Sequence, residues 1–429
     1  MKLITFMGIG PRHETVYRWK DHPDIQTAHF AVALAQWLKP KEILVMLTQQ
    51  AQNHENWSWM QKWAESQQIT LTPIAIPEGG NEAEQWQIFD AMTQALQPDD
   101  CVIFDITHGY RSLPMLALLG ALYLRLVKNI TVTHMLYGAF EARDQSVKPN
   151  IAPIVDMTEF LNLLDWVSGA EELIELGLSH RIGKLLSDTH KQLYISKTGK
   201  PQFLERAGSQ LQNISNALQL AQPHHLAQSS HQLKERLANA GQEAHWVKPF
   251  SAIAEKIADH YSHFETQDLA TQRELVNWYT QKGHWVQAVT LAREWVVSFI
   301  CQQILQNPFP ERTLREQVEQ AWNGYIHKEL SYRSKYKEKH GSSEALNNLT
   351  VLQAESELLK SLNLQEYLIL QQIPALPTLK SIWEKLRDLR NQIAHCGMGR
   401  DAQSQPPESM IKDIQQQTQA LNQISLEAK

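Results

Sequence analysis

Long apolar runs, cysteine and a strong excess of charge are all scarce in this chain, and each shortage removes a class of protein. No stretch of 18 uninterrupted apolar residues occurs in the 429 residues, so no membrane-spanning helix is expected. The opening run MKLITFMGIG is too short for a secretory signal, which leads to the expectation of a cytoplasmic protein with no membrane partner. The three cysteines, Cys101, Cys301 and Cys396, stand far apart in strand-like or helical surroundings, which fits neither a disulfide framework nor a zinc site. They read as buried or incidental thiols. A formal net charge of −6 argues against a protein that coats nucleic acid, so any RNA contact must be local.

Several signatures are missing as well. There is no GxxxxGK[ST] loop and no GxSxG elbow, which removes the usual triphosphatase and α/β-hydrolase readings. Gly8-x-Gly10 supplies two of the three glycines of a dinucleotide fingerprint, and Thr48-Gln49-Gln50 follows the second strand where an acidic residue would read a ribose. A nicotinamide-dependent enzyme is weakened accordingly.

What is present is a chain 43% hydrophobic and 20% charged, enough for two or three domains. Residues 1 to 156 alternate strand and helix signals: strands at Leu3 to Met7, Ile43 to Leu47, Ile69 to Ile76, Cys101 to Ile106, Thr131 to Leu136 and Ile151 to Val155. Helices are expected over Ile25 to Leu38, Trp57 to Trp63, Ala83 to Leu96 and Pro114 to Val127. Repeated βα units predict an α/β Rossmann-like amino-terminal domain, mainly parallel, with helices on both faces. From Asp156 onward strand signals vanish and an all-α bundle is expected. Its amphipathic runs lie near Leu161 to Leu178, Leu204 to Leu220, Trp285 to Ile304, Ala345 to Leu362 and Leu379 to His395, with a polar loop over Gln222 to Gln232. Ile411, Ile414, Leu421 and Ile424 have the spacing of a docking helix in the tail.

In open α/β sheets ligands bind beyond the carboxyl ends of the strands, so the residues that follow each strand matter most. Here they are Gly8-Ile9-Gly10-Pro11-Arg12-His13, Glu78-Gly79-Gly80-Asn81-Glu82, and Thr107-His108-Gly109-Tyr110-Arg111-Ser112, with a further loop after Tyr137-Gly138. The last of the three strings is the densest in polar groups. Gly109 permits a tight turn, Ser112 can cap the helix that Pro114 helps start, and an exposed helix N-terminus attracts phosphate.

The second candidate is Arg390-Asn391-Gln392-Ile393-Ala394-His395. Leu379, Ile382, Trp383, Leu386, Leu389 and Ile393 follow a helical period, and Gly397 stands where a left-handed cap is usual. At about 100° per residue Arg390 falls roughly 20° from Leu379, inside the apolar stripe, so something should face it. Arg390 and His395 diverge by about 140°, so one helix cannot aim both at one phosphate, whereas two copies related by a two-fold axis can. Read alone, the string is also what a helix end with a snorkelling Arg and a terminal His looks like.

In combination these strings resemble a known arrangement. MGIG, DITHGYRSLPML and YGAFEA resemble the CRISPR-associated Rossmann-fold (CARF) domain of type III CRISPR ancillary proteins, and GHWVQAVTLARE followed by RNQIAHCG resembles the HEPN ribonuclease domain attached to it. The resemblance implies a homodimeric, metal-independent endoribonuclease acting on single-stranded RNA and switched on by cyclic oligoadenylate, with tetra-adenylate favoured over hexa-adenylate and no other cofactor. Carried over, Gly8, Gly10, Thr107, His108, Gly109, Arg111 and Gly138 belong to the ligand site, and Arg390, Asn391 and His395 to the nuclease site. The domains implied are 1–156 (CARF), 157–240 (helical connection) and 241–429 (HEPN and tail). Two other readings stay open: a ligand-sensing regulator without catalysis, and a CARF domain that also degrades its activator. No basic recognition helix is found, so stable DNA binding is not expected. Arg293 and Glu294 either flank the nuclease cleft or form an ion pair. Lys328, Arg333, Lys335, Lys337 and Lys339, with Tyr325, Tyr332 and Tyr336, form either an RNA track or a solvated face.

Overall fold

A computed structural model of the chain describes residues 1–109, 112–340, 363, 366, 369, 371–373, 375–395 and 405–426, with side chains omitted at 332–333 and 335–340. The chain divides into two compact units, Met1–Val167 and Ser168–Lys429.

The first unit is built on strands β1 (Lys2–Met7), β2 (Thr15–Arg18), β3 (Ile25–Thr27), β4 (Glu42–Leu47), β5 (Thr70–Ala75), β6 (Cys101–Asp105), β7 (Thr131–Gly138) and β8 (Ile151–Asp156). Its helices are α1 (Phe30–Leu38), α2 (Gln49–Gln52), α3 (Glu55–Ser66), α4 (Glu82–Gln94), α5 (Leu113–Val127) and the start of α6 (Thr158–Leu176). The sheet runs β3-β2-β8-β7-β6-β1-β4-β5. From β7 to β5 all neighbours are parallel, while β7 with β8 and β2 with β3 are antiparallel, so the sheet is mixed. Alternation along β1 sends Leu3 and Met7 to one face with α1 and α3, and Ile4 and Phe6 to the other with α4 and α5. Both faces are therefore covered, as the buried strands require.

The crossovers place β4 and β5 on one side of β1 and β6 and β7 on the other. The direction of winding reverses between β1 and β6, which opens a crevice beyond their carboxyl ends.

One expected helix begins late. Ile25 to Thr27 form β3, paired with Thr15 to Tyr17, and the helix starts at Phe30. The β-branched Ile25 and Thr27 suit a strand, and the hairpin partner that claims them is distant from any local helical signal.

The second unit is helical: the remainder of α6, then α7 (His180–Ser196), α8 (Leu204–Gln219), α9 (Pro223–His231), α10 (Leu233–Gly241), α11 (Lys248–Ser262), α12 (Leu269–Gln281), α13 (Trp285–Leu305), α14 (Arg312–His340), α15 (Leu376–Ala394) and α16 (Pro407–Leu421). The polar stretch expected to be a loop is α9. Pro223 starts it, and Leu226, Ala227 and Ser230 are buried, so tertiary packing overrides a His- and Gln-rich composition. In α7 and α8, a Cβ at Gly183 would come within 2.6 Å of the Gly208 carbonyl, so these helices pack at glycine-limited distance. The tail docks as expected, with Ile414, Leu421 and Ile424 buried and Arg273 Nη1 donating to the Ile424 carbonyl at 2.7 Å. Ala345 to Leu362 and Gly397 lie outside the described residues. Among those described, no helix is long and apolar enough to cross a membrane.

Candidate functional site

The crevice at the winding reversal is a cleft of about 390 Å³. Gly8, Gly10, Thr107, His108 and Gly109 line it together, five of the seven residues singled out in this unit. Arg111 lies outside the described residues. Gly138 is buried behind the cleft: a Cβ there would come within 2.8 Å of Phe30 and 2.9 Å of Tyr17, so packing alone requires glycine. Its link to the site is indirect, through its N–H, which donates to Thr107 Oγ1 at 2.8 Å.

The loop after β6 is held from beneath by Asp105, a fully buried carboxylate. Its two oxygens accept from the Thr107 N–H at 2.9 Å and from the Thr5 hydroxyl at 2.7 Å. Thr107 thus spends its backbone donor and one lone pair on the fold, leaving the hydroxyl hydrogen to donate. Gly109 has φ +115°, and a Cβ there would come within 2.6 Å of Leu113 Cδ1, so the turn into α5 needs glycine twice over. Ser112 does not cap α5; its hydroxyl accepts from Gln85 Nε2 at 3.2 Å. With a helical backbone at Ser112 (φ −75°, ψ −26°), the extended geometry that an N-cap side chain uses is absent.

The loop after β1 has a different fastening. Asn56, buried in α3, donates both amide hydrogens, to the Gly8 carbonyl at 3.1 Å and the Gly10 carbonyl at 3.0 Å. A flipped amide would set its oxygen against two carbonyls, so the orientation is fixed. At Gly8 and Gly10 a Cβ would meet nothing within 4 Å, and neither has positive φ. Neither packing nor backbone strain demands glycine there. By contrast the loop after β5 is spent on its own helix: Asn81 Oδ1 accepts from the Glu84 N–H at 3.0 Å, and the Glu84 carboxylate accepts from Gly80 N at 2.9 Å.

Sequence reasoning missed His29. It precedes α1 and lies against His108 with ring centroids 4.2 Å apart and the ring planes tilted by 37°. Both nitrogens of His29 and Nε2 of His108 are buried without a hydrogen-bond partner among the described residues. Burial pushes the His29 imidazole well below its usual value, and a charge on His108 would push it further. His108 is lowered by burial too, against the opposing pull of Asp105 and Glu141. Nearby, the Tyr137 hydroxyl donates to Glu141 Oε2 at 2.7 Å; that bond and burial push the phenol up to about 12, and the bond holds the Glu141 carboxyl down. Inside what reads as one helical segment, nothing in the sequence marks His29, and only the late start of α1 brings it to the cleft.

In the second unit, Leu379, Ile382, Trp383, Leu386 and Leu389 form the buried stripe of α15. Arg390, Asn391 and His395 stand at its end, all three exposed. Arg390 is thus not faced by another described element of the chain. It shares its azimuth with buried Leu379, but burial also needs a neighbour at that height, and the described cover stops at Leu389. Among the described residues Arg390 makes no hydrogen bond or ion pair. The Asn391 carbonyl accepts the His395 N–H at 3.0 Å, and His395 ends the helix.

Arg293 and Glu294 are ion-paired with each other at 2.8 Å, Arg293 pairs with Glu319, and Arg315 reaches Glu294 at 2.8 Å. The Arg293 guanidinium also lies 4.8 Å from the centre of the Trp383 ring, which ties α13 and α14 to α15. Of the basic and aromatic segment, Tyr325 is buried against Trp322 and Lys328 pairs with Glu366 at 2.7 Å, so these two leave any exposed track. The side chains of Tyr332, Arg333, Lys335, Tyr336, Lys337 and Lys339 lie outside the described residues.

Residues 162–268 match the family model described as CRISPR-associated protein MJ1674, second domain. The CRISPR-associated protein MJ1674 of Methanocaldococcus jannaschii is 20% identical over 343 residues, which is 79% of this chain and 44% of that relative. The chain therefore spans less than half the length of the curated relative it matches. Among solved structures, Enterococcus italicus Csm6 bound to cyclic hexa-2'-fluoro-hexa-dAMP aligns over 98% of this chain and 93% of that one at 11% identity, with a TM-score of 0.36, too low to carry weight for the fold. The recognition of a CRISPR-associated protein, read from motifs at both ends of the chain, is borne out by matches that run through its middle and most of its length.

Proposed function

We propose that this protein is a cytoplasmic endoribonuclease of type III CRISPR defence, activated by a cyclic oligoadenylate held in the cleft above β1 and β6. In this reading the first unit is a CARF domain, the second carries a HEPN nuclease, and two copies of the chain build one active site. The observation that carries it is the bare end of α15, where a guanidinium, an amide and an imidazole are all exposed, with no described element laid over them.

Cleavage would proceed by attack of the RNA 2′-hydroxyl on the adjacent phosphorus. His395 handles the proton, Arg390 holds the phosphate as charge builds on its oxygens, and Asn391 supports the imidazole or contacts the phosphate. The products carry 2′,3′-cyclic phosphate and 5′-hydroxyl ends, and DNA resists because it lacks the nucleophile. No metal is needed for these steps.

Dimerisation has support in the first unit, where Met115, Leu119, Tyr123 and Leu126 form an exposed apolar stripe along one face of α5, with Phe160 and Leu163 exposed on α6. A two-fold pair of clefts suits a two-fold ring, which favours an even number of adenylates, and four is our choice over six. The glycines at 8 and 10 and the start of α5 offer close backbone approach to phosphates. His108 and Thr107 in the same cleft support a second reading, in which the domain also cleaves its activator.

Incubating the purified protein with labelled single-stranded RNA, with and without cyclic tetra-adenylate and in EDTA, tests the proposal. Activator-dependent, chelator-resistant cutting is expected. Binding of the ring with no cutting would select the regulator without catalysis, and shortening of the ring itself would add the second reading.

A further inference from the structure

The tilted pair of His29 and His108 rings is the least satisfied polar cluster among the described residues of the cleft. Two imidazoles 4.2 Å apart leave three of their four nitrogens buried with no partner among the described residues. A buried donor or acceptor without a partner costs about 1–3 kcal/mol, so a fold does not accumulate three in one place without a compensating use. They also lie in a cavity, because both rings line the cleft.

The charges around the pair set what that use is. Asp105 on β6 and Glu141 in the turn after β7 both favour a cationic His108, and the Asp105 carboxylate accepts from two neutral donors, Thr5 and Thr107. Tyr17 on β2 is held neutral, its phenol raised by burial and by Asp105. Arg12 from the β1 loop and Glu78 from the β5 loop line the same cleft with opposite signs. Burial alone keeps the pair neutral, and it does so against this negative surround. One more negative charge, delivered in a site shielded from water, tips that balance, since charges interact far more strongly there than in bulk solvent.

We infer that His29 and His108 act as one proton-accepting unit: a phosphodiester ligand entering the cleft is bound together with a proton taken from solvent onto the imidazole pair, so that its affinity rises as the pH falls. This rests on the cyclic-oligoadenylate reading of the cleft. His29, which lies behind His108, is in this view a positioning residue that shares the proton rather than one that must touch the ligand. The ligand's own phosphodiesters do not titrate near neutrality, so protons taken up on binding belong to the protein.

The test is calorimetry of cyclic tetra-adenylate and cyclic hexa-adenylate binding to the full chain, between pH 6 and 8, in buffers of different ionisation enthalpy. Up to one proton per protomer, hence two per ring shared by a pair of clefts, is expected to be absorbed, with affinity rising by as much as about a hundredfold per pH unit of fall. His29→Phe keeps an aromatic ring but cannot titrate, and His29→Gln keeps polarity; both are expected to reduce the proton count and flatten the pH response. Nitrogen-15 shifts of labelled histidine in the unaltered chain read the same event without a substitution, as a neutral pair that becomes cationic on ligand addition. Binding with no proton uptake at any pH, or uptake unchanged in both variants, overturns the inference and leaves the activator reading standing. Failure of both rings to bind at every pH overturns the two together.

Discussion

In the cleft above β1 and β6, one chain supplies the fastenings of the ligand loops: Asp105 holds the turn after β6, Asn56 holds the loop after β1, and Gly138 backs Thr107. At the end of α15 the reverse holds, with Arg390, Asn391 and His395 exposed and no described neighbour laid over them. The first place is a cleft whose loops are fastened by the chain's own buried groups. The second is a set of chemical groups awaiting geometry, which in the dimeric reading a second protomer provides. Binding and catalysis should therefore fail separately.

The sharpest way to break that contrast is to remove the groups at α15. Arg390→Ala or His395→Ala is expected to lower RNA cutting by a factor of about 10³ or more while ring binding stays unchanged, since proton transfer and charge stabilisation each contribute on that order. Unchanged cutting by purified His395→Ala would falsify the assignment. Next in size is the apolar stripe of α5. Leu119→Glu places a charge in its middle, and light scattering should then report a monomer whose RNA cutting falls by about a hundredfold or more, because desolvating an unpaired carboxylate costs several kcal/mol. A dimer of unaltered activity would show that the second copy docks elsewhere.

A smaller effect separates binding from folding inside the cleft. Gly8→Ala meets no atom within 4 Å and no positive φ, so its melting temperature should match the parent, while ring affinity drops by about tenfold if backbone and ligand approach closely there. Equal affinity would remove Gly8 from the site. The smallest effect is on stability against pH. The ordinary imidazole value is 6.5, and His29 and His108 lie below it when folded, as does His260, pushed down to about 4 by burial. The unfolded chain takes up these protons first. Stability present above pH 6.5 is therefore lost as the pH falls toward the folded values, by up to about 1.4 kcal/mol per pH unit for each group. Melting curves from pH 7.5 to 5 should show this loss, reduced in His29→Phe.

Much of the fold is legible in the order of residues. The strands at Leu3 to Met7, Ile43 to Leu47 and Cys101 to Ile106 announce themselves as short apolar runs followed by glycine or polar turns, and the helices at Leu204 to Leu220 and Trp285 to Ile304 by a 3.6-residue period. The hairpin of β2 and β3 does not, because its signal is a pairing between Thr15–Tyr17 and Ile25–Thr27 and not a local pattern. The helix α9 hides behind His and Gln, whose helicity depends on neighbours that bury Leu226 and Ala227. At the cleft, Gly8, Gly10, Thr107, His108 and Gly109 are legible because a strand end exposes whatever follows it. His29 and Asn56 are not, since each reaches the site from the start of a helix that folds back over it.

Local sequence determined where the chain extends and coils, which side chains follow each strand, and that an arginine, an asparagine and a histidine share one helix end. These depend on backbone preference and periodicity, which act over a few residues. Tertiary structure decided that winding reverses between β1 and β6, that two imidazoles from distant segments meet there, and that, among the described residues, the azimuth shared by Leu379 and Arg390 is covered at one and open at the other. Burial and electrostatic environment are set by what packs above a residue, and no residue carries that information in its own neighbourhood of the chain.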